Sequence, residues 1–310
     1  MTPTARTVLP TDLVALVSYD GRVYANEAMT LDRIGTQDSP HPLETAFEQW
    51  FSFATGRHTW ISVKGATLRG LASARKRGSK LAWEIDCLID AEPGDDSVLL
   101  SLLDQVTEAA GRSGALRIFI RVPAGSPLEA DLIRCGFGAY THETVFWAFT
   151  SSLDASRRSE GIRRRTKADA YRVFQLYNDL VPESVRRFEA MTFTEWNAAQ
   201  ERLGRMSQWV MEDDGRLAGW LRVAGDGDLG RFDLLGTNAA LDDLIGAVLQ
   251  KVANRERAYM LVRDYQEPVR QRLREIGFEE GESYAVLSRR TVRPVKEARK
   301  APAVARTTLI

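Results

Sequence analysis

Residues 212–223 read EDDGRLAGWLRV, an acidic turn with a glycine followed by an apolar run. Trp209, which opens the preceding WVM, lies ten residues before Gly219 in this stretch. The first half of the chain has the same spacing between Trp60 in WISV and Gly70 in LRGLASA. Similarity between two parts of one sequence at a long offset, about half the chain here, indicates an internal duplication.

The two halves share five landmarks in the same order. After the Trp and Gly comes an alternating strand, WEIDCLI (83–89) in one half and RFDLL (231–235) in the other. An amphipathic helix and a short strand follow, LRIFIRV or AYMLV, and then a Pro-started helix that ends in Gly-Phe, PLEADLIRCGF (127–137) or PVRQRLREIGF (268–278). The apolar positions of the amphipathic helices have the spacing of a helix that packs one face on a sheet. They are Leu99, Leu102, Leu103, Val106 and Ala110 in the first half, and Leu241, Leu244, Ile245, Val248, Leu249 and Val252 in the second.

The duplication predicts two domains. We expect the first at 1–150, a polar linker at 151–160, the second at 161–293 and a basic tail at 294–310. A length of 310 residues agrees with this, because single cores rarely keep growing to that size. Each half has the order α, α, β-hairpin, β, α, β, α and a β-rich end, with the second helix of the first half expected near 43–54. This order predicts an α/β fold with a mixed sheet in each half, not a doubly wound parallel sheet.

Composition excludes several classes of protein. Lys+Arg and Asp+Glu both number 42, so the net charge is zero, which argues against a nucleic-acid binder outside the basic tail. A mean hydropathy of -0.27 and the lack of an apolar run of about 18 residues argue against a membrane span. The start, Met1 to Pro10, has no signal-peptide pattern, and Cys87 and Cys135 cannot form a disulfide framework, so we expect a cytoplasmic protein. With three histidines, no metal site is expected.

The duplicated unit resembles the GNAT superfamily of N-acetyltransferases, present twice in tandem. EDDGRLAGWLRV (212–223) resembles its second and third strands, and IRRRTKADAYRVFQL (162–176) its first strand and helix. IRCGF (133–137) and REIGF (274–278) resemble the Gly-Phe after its fourth helix. The resemblance implies a mixed, mainly antiparallel sheet whose central parallel strands splay apart. It also implies acetyl-CoA as co-substrate and a small-molecule or peptide amine as acceptor.

The resemblance also implies where acetyl-CoA would bind. Its pantetheine arm would pair with the splayed strand, and its pyrophosphate would lie on the amides at the start of the following helix. The matching positions are Cys87, Leu88, Ile89, Gly94, Asp96 and Ser97 in the first half, and Leu234, Leu235, Gly236 and Thr237 in the second. Both halves depart from the family's Arg/Gln-x-x-Gly-x-Gly/Ala loop. Asp95 stands where the family has Arg or Gln, Val98 and Leu100 stand at its glycines, and the second half offers only Gly236.

Three strand carboxylates are candidates for the family's catalytic base: Glu84, Asp86 and Asp233. A carboxylate in a partly desolvated cleft can have the raised pKa that such a base needs. The structural alternative is that these acids face solvent or form ion pairs. The family's proton-donating Tyr is replaced by Leu132 and Leu273.

Other motifs favour structural roles. GDGDLG (225–230) matches a dinucleotide-binding pattern, but it joins two strands with no helix after it, so we expect a hairpin turn. Cys87 lies on the strand of the expected cleft, yet no nearby histidine would activate it, which favours inert packing. The basic run Arg163–Arg165 is expected on a solvated strand edge.

Two classes of function follow from the sequence. The first is an acyl-CoA-dependent N-acyltransferase with at most one active domain, for which the first half, with its full-length loop and two strand acids, is the better candidate. The second is a non-catalytic pseudo-acetyltransferase that serves as a binding or scaffolding module. The sequence leaves the acceptor open, and also the oligomeric state, a homodimer included.

Overall fold

The computed structural model describes residues 5–20, 25–36, 56–92, 94–156, 159–201, 204 and 206–291. The helix expected near 43–54 and the basic tail at 294–310 lie outside these residues. The strands are β1 (Arg6–Thr7), β2 (Arg57–Lys64), β3 (Thr67–Lys76), β4 (Ala82–Asp90), β5 (Arg117–Pro123), β6 (Gly138–Phe149), β7 (Ile162–Arg164), β8 (Met206–Asp213), β9 (Arg216–Asp226), β10 (Leu229–Gly236), β11 (Arg257–Arg263) and β12 (Glu279–Arg290). The helices are α1 (Leu13–Asp20), α2 (Asp96–Ser113), α3 (Leu128–Arg134), α4 (Ala170–Leu180), α5 (Glu183–Glu189), α6 (Phe193–Ala199), α7 (Leu241–Val252) and α8 (Glu267–Glu275).

All the described strands belong to one mixed sheet, which confirms the predicted fold class. Their order is β1-β2-β3-β4-β5-β12-β6-β11-β10-β9-β8-β7. Within the described sheet, β4–β5 and β10–β11 pair in parallel, and the other neighbours pair antiparallel. The strands form two similar lobes, β1–β5 and β7–β11. The lobes run in opposite order across the sheet, with β12 and β6 between them.

The two halves exchange their last strands at the centre of the sheet. β12, from the second half, pairs with β5 of the first half from Tyr284↔Pro123 to Arg290↔Arg117. β6, from the first half, pairs with β11 of the second half from Arg257↔Phe149 to Arg263↔Glu143. Each lobe is therefore completed by a strand from the other half of the protein.

The glycines of the repeat are explained by helix packing. A Cβ on Gly70 would lie 3.0 Å from Leu102 Cδ1 of α2, and one on Gly219 would lie 2.7 Å from Leu244 Cδ1 of α7. The strand must therefore have no side chain at the position where the following helix crosses it. The buried faces of α2 and α7 are those predicted from their periodicity.

The predicted turns are also present. Asp226 pairs with Leu229 across a two-residue connection, so GDGDLG is the β9–β10 hairpin and opens no helix. Gly136 (φ 80°) and Gly277 (φ 97°) adopt the left-handed conformation that ends a helix. Leu132 and Leu273 are fully buried in the cores beside them.

Candidate functional site

Each lobe has an opening where its two parallel strands part. β4 and β5 pair only from Ala82↔Arg117 to Glu84↔Phe119. β10 and β11 pair only from Leu229↔Arg257 to Phe232↔Met260. Beyond these pairs the strands separate, as the resemblance predicts.

The first opening is filled by the protein itself. Residues 25–30 run between the parted strands, and the Glu27 N–H donates to the Leu88 C=O at 3.0 Å. The Met29 N–H donates to the Arg121 C=O on β5 at 2.8 Å. The Asn26 carboxamide accepts from the Leu88 N–H at 3.0 Å and donates to the Asp86 C=O at 3.2 Å. The backbone groups of Leu88 that face this opening are thus already bonded.

In the described part of the chain, the second opening is crossed by the side chain of Gln266. The Thr237 N–H donates to the Ala218 C=O, and because antiparallel pairs alternate, the backbone groups of Leu234 point away from β9 and toward β11. The C=O of Leu234 accepts from Gln266 Nε2 at 3.0 Å. Gln266 Oε1 in turn accepts from the Arg263 N–H on β11 at 3.1 Å. One carboxamide therefore joins the two strands where the ladder has ended.

A bulge shifts the register of the first lobe against that of the second. On the β3 side, Ser73 pairs with Cys87 and Ala74 pairs with Ile85, so Asp86 is an extra residue on β4. With Gly70 and Gly219 as fixed points, Leu88 corresponds to Leu234 and not to Leu235. A repeat aligned on sequence alone cannot detect such an insertion, because the alternation of side chains continues on both sides of it.

All three predicted carboxylates are bonded to arginine. Glu84 accepts from Arg75 Nε at 2.6 Å and from Arg77 Nε at 3.2 Å. Burial raises the pKa of Glu84, and the two arginines oppose that rise.

Asp86 and Asp233 have their own arginine partners. Asp86 accepts from the Ser73 hydroxyl at 2.7 Å and pairs with Arg57 Nη2 at 2.7 Å. Asp233 is bonded by Arg222 on the neighbouring strand β9. Glu84 stands at the last pair of the β4–β5 ladder, and the backbone C=O of Asp86 accepts from Asn26 of the segment that fills the first opening. Asp233 follows Phe232, the last pair of the β10–β11 ladder, beside the second opening.

Three residues of β4 that were predicted to bind acetyl-CoA are core residues. Cys87, Leu88 and Ile89 are each no more than 1% exposed. Burial raises the pKa of the Cys87 thiol to about 12, which agrees with the inert role expected for it. Only backbone groups of this segment reach the opening.

The start of α2 is acidic. Asp95 caps the helix by accepting from the Ser97 N–H at 3.1 Å, and it also pairs with Arg69 at 2.6 Å. Asp96 accepts from Arg134 at 2.7 Å. Gly94 has φ 102°, a left-handed backbone conformation that favours glycine, so the turn itself explains this residue. Carboxylates at this helix start repel an incoming phosphate.

The corresponding loop of the second lobe is short. Gly236 lies under α7, where a Cβ would be 2.4 Å from Leu244 Cδ1, so helix packing alone requires glycine there. Thr237 precedes a 3₁₀ turn, Asn238–Ala240, that leads into α7. Leu235 packs with Trp220 in the cluster beneath α4.

A small cavity of roughly 30 Å³ lies next to the second opening, beside Asp233 and Leu235. Tyr177, Trp196 and Trp220 form its aromatic walls. The Tyr177 hydroxyl donates to Glu189 at 3.0 Å.

Residues 25–30, Gln266 and this cavity have no signal in the sequence. Residues 25–30 have no periodic pattern. Gln266 stands just before the Pro-started helix, where any polar residue would have been expected. Among the described residues no group of three His, Cys, Asp or Glu side chains is placed to hold a metal ion. None of the described helices is long and apolar enough to cross a membrane.

The fold is similar to that of GCN5-related N-acetyltransferases. One such protein, from Sphaerobacter thermophilus, matches with a TM-score of 0.51 and 14% identity over 94% of this chain and 97% of that chain. N-myristoyltransferase of Saccharomyces cerevisiae, with bound myristoyl-CoA and inhibitors, matches with a TM-score of 0.50 and 12% identity over 94% and 81%. A tandem GNAT protein from the clavulanic acid biosynthesis pathway matches with a TM-score of 0.49 and 14% identity over 94% and 99%.

Comparison of the sequence with protein-family models and with curated proteins finds no match. The structural likeness defines the class: this is a two-lobed α/β protein with a tandem GNAT-like fold. That fold is the one used by acyl-CoA-dependent N-acyltransferases.

Proposed function

We propose that this protein is an acyl-CoA-dependent N-acyltransferase whose second lobe holds the acyl donor, with acetyl-CoA as the donor to test. The observation that carries the proposal is the contrast between the two openings. The first is filled by residues 25–30, whereas among the residues that the structure describes the second is crossed by the Gln266 side chain. This assignment reverses the preference for the first half that loop length suggested.

The donor would be held mainly by backbone groups. Leu234 directs its N–H and C=O into the second opening, where a pantetheine amide would pair with them as an added strand does. The pyrophosphate would lie toward Thr237 and the start of α7. Two acids stand in the first turn of that helix, as at the start of α2: Asp242 pairs with Arg272 at 3.2 Å and Asp243 accepts from the Glu160 N–H at 2.9 Å. Charge at the helix start therefore does not distinguish the two lobes.

The reaction would proceed by direct attack. The acceptor amine forms a bond to the thioester carbonyl carbon, the C–S bond breaks, and the thiolate of CoA leaves. Asp233 is the base that we propose for the proton lost by the amine. The acceptor would approach past Tyr177 and Trp220, which line the adjoining cavity.

The test compares the candidate acids of the two lobes. In the full-length protein, Asp233→Asn should lower kcat/KM for acyl transfer to an amine panel by about 100-fold, because general-base assistance is lost. Asp86→Asn is the matched control, since Asp86 also pairs with an arginine but lies on the strand whose opening is filled by residues 25–30. Acetyl transfer measured by CoA release would contradict the assignment if Asp86→Asn caused the larger loss.

The alternative is a non-catalytic pseudo-acetyltransferase. Two observations favour it: each candidate carboxylate is bonded to an arginine, and the start of α2 carries acids at the expected phosphate site. A ligand that binds the native state must raise the melting temperature of the full-length protein. No shift with millimolar acetyl-CoA would favour the scaffold over the enzyme.

A further inference from the structure

Gln266 is placed to compete with the acyl donor. Its side chain belongs to a residue only 5% exposed, directly before α8. Its Nε2 donates to the Leu234 C=O on β10, and its Oε1 accepts from the Arg263 N–H on β11. A carboxamide carries the same planar donor and acceptor as a peptide group, so Gln266 substitutes for one unit of a strand between β10 and β11.

The first lobe uses the same arrangement more extensively. There the Asn26 carboxamide bonds the Asp86 C=O and the Leu88 N–H on β4. The backbone N–H groups of residues 27 and 29 add bonds to β4 and β5. Those bonds involve backbone atoms of a continuous segment. In the second lobe a rotation of one side chain releases every contact that Gln266 makes across the opening.

We propose that Gln266 sets the affinity of the second lobe for its acyl donor. Its carboxamide is hydrogen-bonded to the Leu234 carbonyl, and the donor must bond to the same carbonyl. This proposal rests on the proposed function, and specifically on donor binding in the second lobe. Binding then exchanges the Gln266 bonds for donor bonds, so part of the gain in hydrogen bonding is lost.

Removal of the competing side chain should therefore tighten binding. Gln266→Ala frees the Leu234 C=O and leaves the backbone C=O of residue 266, which accepts from the Val269 and Arg270 N–H groups, in place to start α8. Release of two hydrogen bonds corresponds to a dissociation constant for acetyl-CoA about tenfold lower than that of the unmodified protein.

The experiment is calorimetric titration of acetyl-CoA into the full-length protein and two variants. The matched control is Gln271→Ala, another glutamine of the same helix, which bonds Glu275 on the surface at 2.9 Å. We expect Gln266→Ala to bind more tightly and Gln271→Ala to bind as the unmodified protein does. Hydrogen exchange without ligand provides a second readout, in which the Arg263 amide should exchange faster in Gln266→Ala only.

The outcomes separate the two proposals. If the unmodified protein binds acetyl-CoA and Gln266→Ala binds equally or more weakly, the role of Gln266 is wrong and the proposed function stands. If neither the unmodified protein nor Gln266→Ala binds, both are overturned. Unchanged exchange at Arg263 in Gln266→Ala would also exclude the bridging role.

Discussion

Arg121 lies where the two halves of the protein meet. It is 3% exposed, and its guanidinium is 2.7 Å from Glu143 and 2.7 Å from Glu201. Burial alone would lower the pKa of Arg121, but these two carboxylates hold it well above its ordinary value. The three side chains come from β5, β6 and the segment after α6, so they join the first lobe to the second half. Their separation along the sequence hides this contact from any local pattern.

Loss of Arg121 should destabilise the protein strongly. Arg121→Met removes a buried cation, while Glu143 keeps Arg263 and Glu201 keeps Arg77, each at 3.2 Å. We therefore expect a cost of about 3 kcal/mol of unfolding free energy, the low end for a broken buried pair. Arg112→Met is the control, because Arg112 forms an exposed pair with Glu108 that is worth about 0.5 kcal/mol. Urea unfolding of both variants measures the difference. A loss below about 1 kcal/mol for Arg121→Met would show that the buried ion pairs are replaceable.

At the scale of the element, residues 25–30 act as an added strand, although they do not form a regular strand of the sheet. Asn26 Oδ1 accepts from both the Leu88 and the Ala28 N–H groups, and Nδ2 donates to Asp86. A strand opening in a folded sheet exposes backbone groups that need partners. The segment supplies them, and this explains how the first lobe keeps its strands parted.

Truncation of Asn26 should open the first lobe locally. Asn26→Ala leaves the Leu88 N–H and the Asp86 C=O without the carboxamide, at a cost of about 1–3 kcal/mol. Native-state hydrogen exchange at the Leu88 amide should accelerate, and urea unfolding should shift to lower denaturant. Asn178→Ala serves as control, since Asn178, on α4, accepts from Arg186 on α5, far from this opening in the sequence. Equal exchange at Leu88 in both variants would mean that the segment does not seal the opening.

Elements with a strong period were predicted correctly, whereas the partners of the candidate site residues could not be predicted. The apolar faces of α2 and α7 and the β9–β10 hairpin follow from spacing and turn residues, which act within a few positions of the sequence. Glu84, Asp86 and Asp233 are all paired with arginines. Two of these arginines lie on the strand next to that of their acid. Their pairing depends on register, and the bulge at Asp86 changes that register by one residue.

At the scale of the whole molecule, the exchanged strands make the two halves depend on each other. β12 separates β5 from β6, and β6 separates β12 from β11. Thr144 and Ser283, one from each half, bring their hydroxyls within 3.1 Å at the centre of this arrangement. Without the other half, each lobe would expose a long unpaired strand edge.

Separated halves should not fold alone. We expect residues 1–160 or 161–310, expressed singly, to aggregate or to lack cooperative unfolding, and the two co-expressed to form a one-to-one complex. Size-exclusion chromatography and near-ultraviolet circular dichroism measure this. A single half that elutes as a monomer and unfolds cooperatively would contradict the structural role of the exchange. The boundary at 151–160 would then mark two independent domains, as the repeat alone suggests.

The sequence by itself determined the duplication, the fold class and the helices that cover the sheet, because these depend on periodicity and on glycines where helix meets strand. The tertiary structure alone decided which strand completes which lobe, which opening is filled and which residue bridges the other. Hydrogen bonds and ion pairs between residues tens of positions apart depend on geometry in space, and no local pattern of residue types encodes it.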